Sequence, residues 1–249
     1  MEPADFYTGI VAELYGPLKS FTQQASPYVR FIRESGQPAL ELGCGDGEPL
    51  LDLVRDGLDV DGVDSSEDML VRCRARAAAE SLDVTLYRQK MEELDLPRRY
   101  RSIFLAGPTF NLLPDDDAAR RGLTGIGKHL VDGGTALIPL FVPDPTPTDR
   151  LGQIREATAP DGSTLRVSVQ SEERDDDART QRTTLRYERR SDDGATVVER
   201  PWILHWHTQP GFRELAADAG LAVVDVRDDD GNGASRDAKE FTFVLQRSD

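Results

Sequence analysis

A glycine-rich loop set between a short apolar run and a helical pattern constrains this chain more than any other feature. Ala39-Leu40-Glu41-Leu42 reads as a buried strand, and Gly43-Cys44-Gly45-Asp46-Gly47 follows it directly. Glycine is needed where the backbone turns sharply or lets a ligand come close to the main chain. Leu50 to Val54 then reads as a helix stopping at Gly57, and residues 58–63 as a second strand ending at Asp64. An acid at the end of that strand can accept both ribose hydroxyls of a nucleoside. Nicotinamide-binding loops follow the same logic with the spacing G-x-G-x-x-G. Here the third glycine arrives one residue earlier, and Glu41 stands two residues before the first.

The rest of the chain repeats the alternation. Ser65 or Ser66 can cap a helix carrying Glu67 and Asp68 at its positive end and running through Met69 and Cys73. Residues 84–87, 102–106 and 135–142 read as further strands, with a helix at 116–130 that ends at Asp132-Gly133-Gly134. Strands alternating with helices imply a parallel sheet covered on both faces, with ligands at the carboxyl ends of the strands. From about Leu165 the period changes to two, predicting three antiparallel strands within residues 160–208, and a solvated acidic turn at 172–177. A last helix at 211–219 and strands at 221–226 and 241–245 complete the pattern. Ahead of the first strand, Phe6, Ile10, Leu14, Leu18, Phe21, Tyr28, Phe31 and Ile32 are spaced for two helices broken near Gly16-Pro17 and Ser26-Pro27. One domain over 1–249 is expected: a helical lid (1–36), a ligand-binding half (37–145), the insertion, and a closing segment (209–249).

Charge and cysteine content narrow the partners. A formal charge of −15 argues against a polyanion, since nucleic-acid binding needs basic residues to replace counterions. Arg72, Arg74 and Arg76 read as the solvated face of a helix. No apolar run reaches the length needed to cross a bilayer, and the start Met1-Glu2-Pro3-Ala4-Asp5 lacks a secretory pattern. A soluble, cytoplasmic protein acting on a small molecule is expected, with no nucleic-acid or membrane partner. Cys44 and Cys73 are too few for a disulfide framework or a metal cluster, so no metal is expected. The acid-rich, lysine-poor balance fits a salt-adapted host or a GC-rich genome equally well.

The spacing E-x-G-x-G-x-G over Glu41, Gly43, Gly45 and Gly47 resembles the first motif of class I S-adenosylmethionine-dependent methyltransferases. Val63-Asp64-Ser65-Ser66-Glu67-Asp68-Met69-Leu70 resembles their second motif, and Gly133-Gly134 and the order of elements across 39–142 are similar too. The resemblance implies an α/β, Rossmann-like, seven-stranded, mostly parallel sheet with helices on both faces, an N-terminal helical lid and a small antiparallel β insertion. It also implies S-adenosylmethionine as cofactor, with Glu41, Gly43, Cys44, Gly45 and Gly47 lining the loop. Asp64 and Ser65 would lie at the ribose, Met69, Met91 and Glu92 near adenine, and Ala106 at the end of the fourth strand. Two places depart from the family's pattern. Lys90 stands where an acid often meets the adenine amine, and Asp46 and Glu48 crowd negative charge into the loop.

Methyl transfer from a sulfonium is an in-line displacement that needs alignment and exclusion of water, and no obligatory nucleophilic side chain. A general base helps a protonated acceptor. His129, at a helix end, reads as structural, whereas His205 and His207 beside Trp202 and Trp206 read as a pocket wall. His205, His207 and Tyr15 are therefore the catalytic candidates, and Tyr7, Phe110, Asn111 and Trp206 the substrate-binding ones. The lid and insertion resemble, more loosely, aminosugar and glycine N-methyltransferases, which implies a small amine or hydroxyl acceptor and a monomer or homodimer. A non-catalytic cofactor-binding module and a nicotinamide oxidoreductase remain as alternative readings at this point.

Overall fold

The computed structural model describes residues 6–19, 22–159 and 161–248; Phe21 of the expected apolar spacing lies outside them. Two helices come first, α1 (Ile10–Leu18) and α2 (Ser26–Ser35). Pro27 starts α2, where its missing N–H is no loss. The expected break near Gly16-Pro17 is found one residue further on: Pro17 falls in the last turn of α1, which ends at Leu18.

Seven strands form the main sheet in the order β10-β11-β5-β4-β1-β2-β3. They are β1 (Ala39–Leu42), β2 (Val60–Asp64), β3 (Leu86–Arg88), β4 (Tyr100–Phe104), β5 (Leu130–Phe141), β10 (Leu221–Arg227) and β11 (Glu240–Arg247). Pairing is parallel from β3 through β5, and β11 runs antiparallel between β5 and β10. Every residue of β1 is buried, as expected for a strand covered on both faces. One face packs on α2, α3 (Leu50–Arg55) and α4 (Glu67–Ala79), with Leu50, Leu53, Leu70 and Phe104 in the core. The other packs on α5 (Asp116–His129) and α6 (Gln209–Asp218), with Tyr100, Ile103, Leu123, Phe212 and Phe243. Side chains at the N-caps hold these helices: Ser66 accepts from Met69 N, Asp115 from Ala118 N and Thr208 from Gly211 N. His129 is structural, accepting from Leu96 N at 2.9 Å through Nε2 and meeting Gly125 O through Nδ1.

The insertion holds four antiparallel strands, one more than expected, in the order β6-β7-β8-β9. The additional strand, β6 (Ile154–Thr158), is almost wholly exposed, so no apolar alternation marks it. It pairs with β7 (Thr164–Asp175), followed by β8 (Thr180–Ser191) and β9 (Gly194–His205). Glu172, expected in a solvated turn, is inside β7 and accepts from Thr146 N and Gln181 Nε2, which ties the sheet to the segment after β5. The lid's apolar side, Phe6, Val11, Leu14 and Leu18, packs on Leu165, Val167 and Tyr187 of this sheet. Arg72, Arg74 and Arg76 are exposed on α4, and among the described residues no helix is long and apolar enough to cross a membrane.

Gly133-Gly134 lies inside β5 instead of ahead of it, where the β4 register jumps from Tyr100↔Leu130 to Ser102↔Thr135. Gly133 has φ +68°, and a Cβ on Gly134 would meet the carbonyl oxygens of Val131, Arg101 and Tyr100 at 2.9–3.1 Å. Backbone oxygens cannot swing aside as side chains do. Gly134→Ala should lower unfolding stability by about 1–3 kcal/mol, the usual range for overpacking, read from denaturant midpoints; an unchanged midpoint would refute the crowding.

Candidate active site

The loop after β1 is held by the end of β2. Gly43 N and Cys44 N both donate to Val63 O, at 2.8 and 3.0 Å, and Gly45 N donates to Asp64 Oδ2 at 2.8 Å. Asp64 Oδ1 accepts from Ser66 N at 2.8 Å. Each Asp64 oxygen thus already carries one backbone bond and retains capacity for another donor. Burial of this carboxyl pushes its pKa up, and the backbone donors oppose the shift. The glycines have separate reasons. Gly43, at φ +76°, approaches Thr109 so closely that a Cβ would sit 2.7 Å from its methyl carbon. Gly47, at φ +95°, makes room for Cys73 and Leu51 where α3 and α4 meet.

A cavity of about 540 Å³ opens over this loop at the carboxyl ends of the strands. Gly43, Gly45, Asp64, Ser65 and Met69 form one wall, and Gln89, Lys90, Met91, Glu92 and Glu93 a second. Thr109, Leu112, Leu113, Pro114 and Arg121 form the opposite side, with Tyr7 and Tyr15 of the lid across the top. The two tyrosine rings meet edge to face, 5.4 Å between centroids and 88° apart.

Several expected residues lie elsewhere. Phe110 and Asn111 are fully buried. The short 3₁₀ turn Thr109–Leu112 sends its first and last residues to the cavity, while Asn111 bonds Phe141 O at 2.9 Å and Phe110 packs on Phe212. Trp206 is buried under Arg174, 4.2 Å from guanidinium carbon to ring centre. Ala106 packs on the core beside α2, and Cys44 is buried and does not line the cavity. His205 and His207 are buried at the end of β9 and also do not line it; desolvation keeps both imidazoles uncharged, lowering the pKa of His207 to about 3. Sequence spacing missed Thr109, Leu112, Leu113, Pro114 and Arg121, whose only signal was their position after the fourth strand.

The acids that departed from the family's pattern are turned away from the cavity. Asp46 pairs with Arg76 at 3.2 Å, and Glu48 forms an ion pair with Lys19 while accepting from Gln23 N at 2.7 Å. Glu48 therefore joins the glycine loop to the linker between α1 and α2. Two further bonds tie the lid to the start of α4: Ser66 Oγ to Tyr7 O at 2.5 Å, and Gly9 N to Asp68 Oδ2 at 2.6 Å.

The site passes a test of fit for an adenosyl cofactor. Glu41 is fully buried, and both its carboxylate oxygens lack a hydrogen-bond partner. Burial, with Asp64 nearby, raises its pKa well above the usual carboxylate range. An unpartnered carboxyl under a glycine cradle suits a cationic ligand group, and Asp64 offers acceptor capacity to ribose hydroxyls. A cation that favours the ionised form of Glu41 must release its proton on binding. Affinity for S-adenosylmethionine should therefore rise with pH up to the elevated Glu41 pKa, with Asp64, Tyr15, Tyr28, Cys44 and Cys73 as the neighbouring titratable groups. Calorimetry in buffers of different ionisation enthalpy should show proton release that Glu41→Gln removes; equal release in both proteins would sink the assignment.

Residues 39–134 match the methyltransferase domain family. A putative methyltransferase of Geobacillus sp. (strain WCH70) is 28% identical over 123 residues, so the match spans about half the length of that relative, 49% of each chain. The cypemycin N-terminal methyltransferase of Streptomyces sp. is 26% identical over 99% of this chain and 100% of its own. The dTDP-3-amino-3,6-dideoxy-alpha-D-glucopyranose N,N-dimethyltransferase of Streptomyces fradiae is 25% identical over 71% and 70%. The CcbJ methyltransferase of Streptomyces caelestis shares the fold, with a TM-score of 0.78 at 21% identity over 99% of both chains. Residues 39–134 thus carry a methyltransferase domain, the strand order is that of the α/β, Rossmann-like methyltransferase fold, and the cofactor is S-adenosylmethionine.

Proposed function

We propose that the protein methylates an amine nitrogen of a small molecule that enters the cavity between the lid tyrosines and the Thr109–Pro114 wall. The observation that carries this reading is the Tyr7–Tyr15 pair, which closes the same cavity that Asp64 and the glycine loop floor. Both phenols are desolvated and surrounded by negative charge. The pKa of Tyr15 is pushed up to about 12, first by burial and then by Asp46, Glu48, Asp64 and Glu41, and that of Tyr7 is raised further. At neutral pH neither can act as a base; each keeps its proton and offers a hydroxyl donor and a π face. Aromatic faces favour cations over water, by about 0.5–2 kcal/mol depending on desolvation. That preference suits both the amine entering and the ammonium product leaving.

Bound in the cradle, S-adenosylmethionine supplies an electrophilic methyl group. The chain's part is to present the acceptor nitrogen with its lone pair free, aligned and dry. Leu112, Leu113 and Pro114 exclude water from one side, and the lid, latched through Glu48, Ser66 and Asp68, closes the other. With the cofactor bound, transfer would form the N–C bond as the methyl–sulfur bond breaks, and Glu92 or Glu93 at the wall would take the proton that the methylated nitrogen sheds. Of the relatives above, one is named an N-terminal methyltransferase and another an N,N-dimethyltransferase of a 3-amino sugar nucleotide, which supports nitrogen over oxygen as the acceptor atom.

Incubation with S-adenosylmethionine and a panel of amines, phenols and carboxylates, read by mass spectrometry, should methylate amines selectively. Turnover of phenols or carboxylates alone would overturn the choice of nitrogen. Tyr15→Phe should lower kcat about tenfold, the loss of ~1.4 kcal/mol of transition-state stabilisation, with S-adenosylhomocysteine binding retained. An unchanged kcat would remove the Tyr15 hydroxyl from the reaction.

A further inference from the structure

Away from the cavity, three side chains from distant parts of the chain converge at the foot of the insertion. Asp116 is in the first turn of α5, His205 ends β9, and His207 lies two residues further on. His205 Nε2 is 3.5 Å from Asp116 Oδ1 and His207 Nδ1 is 3.6 Å from it, and the three atoms lie within 4.8 Å of one another. Both imidazoles are buried, at 3% and 0% side-chain exposure.

Hydrogen bonding does not account for this cluster. Separations of 3.5 and 3.6 Å are too long for a useful N–H···O bond, and Asp116 Oδ1 is buried with no partner. Its other oxygen is already satisfied, accepting from Arg179 Nη2 at 2.5 Å. Arg179 Nη1 also stands 3.5 Å from His207 Nδ1, again at the outer limit of a hydrogen bond. The remaining ring nitrogens, His205 Nδ1 and His207 Nε2, are buried without partners too. So two imidazole nitrogens and a carboxylate oxygen face one another at 3.5–3.6 Å, with Arg179 beside them.

Ligand atoms of a tetrahedral ion bound at about 2.0–2.1 Å stand roughly 3.3–3.4 Å apart. The two measured separations are within a few tenths of an ångström of that edge. Two imidazoles and one carboxylate is a donor set suited to Zn²⁺ and its neighbours, and leaves a fourth position for water. We propose that Asp116, His205 and His207 bind one divalent transition-metal ion of the Zn²⁺ type, which pins the end of β9 to the start of α5. The Asp116 helix also carries Arg121 to the cavity wall, so the ion would brace that wall without touching the acceptor.

The test uses the untagged full-length chain, stripped with a chelator and titrated with Zn²⁺ by calorimetry and with Co²⁺ by visible absorption. One Zn²⁺ per chain and an intense tetrahedral Co²⁺ spectrum are expected. His205→Gln and His207→Gln should each weaken Zn²⁺ binding by at least tenfold while the thermal shift with S-adenosylhomocysteine persists. Absence of stoichiometric binding in the parent protein, or undiminished binding in both variants, overturns the site. Should the variants fail to fold, the Co²⁺ spectrum of the parent decides: bands of an octahedral aqua ion alone would refute it.

Discussion

The bond from Gly45 N to Asp64 Oδ2 holds the site in register with the sheet. It closes the glycine loop over the end of β2, and the same carboxylate, through Ser66 N, sets the first turn of α4. Ser66 in turn caps α4 and bonds Tyr7 O, so one acid orients cradle, helix and lid together. Local bonds of this kind contribute modestly to stability one by one, about 0.5–1.5 kcal/mol each. Their larger effect is geometric, since each removes a way for the cavity walls to move apart.

Charge in the loop illustrates how position overrides composition. Asp46 and Glu48 seem hostile to an anionic cofactor tail only while they are imagined facing it. In the fold each is directed outward to a base, Arg76 on α4 or Lys19 beyond α1. Lys90 lines the cavity with Met91 and Glu92, where the expected adenine-side residues stand. Glu41, by contrast, keeps a buried carboxyl with no hydrogen-bond partner beneath the loop.

The insertion and lid form a second small core that shares little with the main sheet. Phe6, Leu14 and Leu18 bury themselves on Leu165, Val167 and Tyr187, leaving the tyrosines of the same segment over the cavity. Trp206 and the two histidines close the foot of that unit instead of lining the cavity. The polar cluster there joins residues about ninety positions apart, where the end of β9, the β7–β8 turn and the start of α5 meet.

The amino-acid sequence by itself determined the parallel sheet, the cradle and the acid at the end of β2. These rest on local rules: positive φ at glycine, burial of apolar runs, and caps at helix starts. It gave no warning of β6, whose five residues are mostly exposed and lack alternation, nor of the bulge that takes Gly133-Gly134 into β5. It also could not separate Thr109 and Leu112 from Phe110 and Asn111, because which side of a single 3₁₀ turn faces a cavity is set by what packs behind it. Only the tertiary structure decided that Asp46 and Glu48 are paired away, and that His205 and His207 turn towards Asp116. Side-chain direction at such sites depends on partners far along the chain, and spacing carries no record of them.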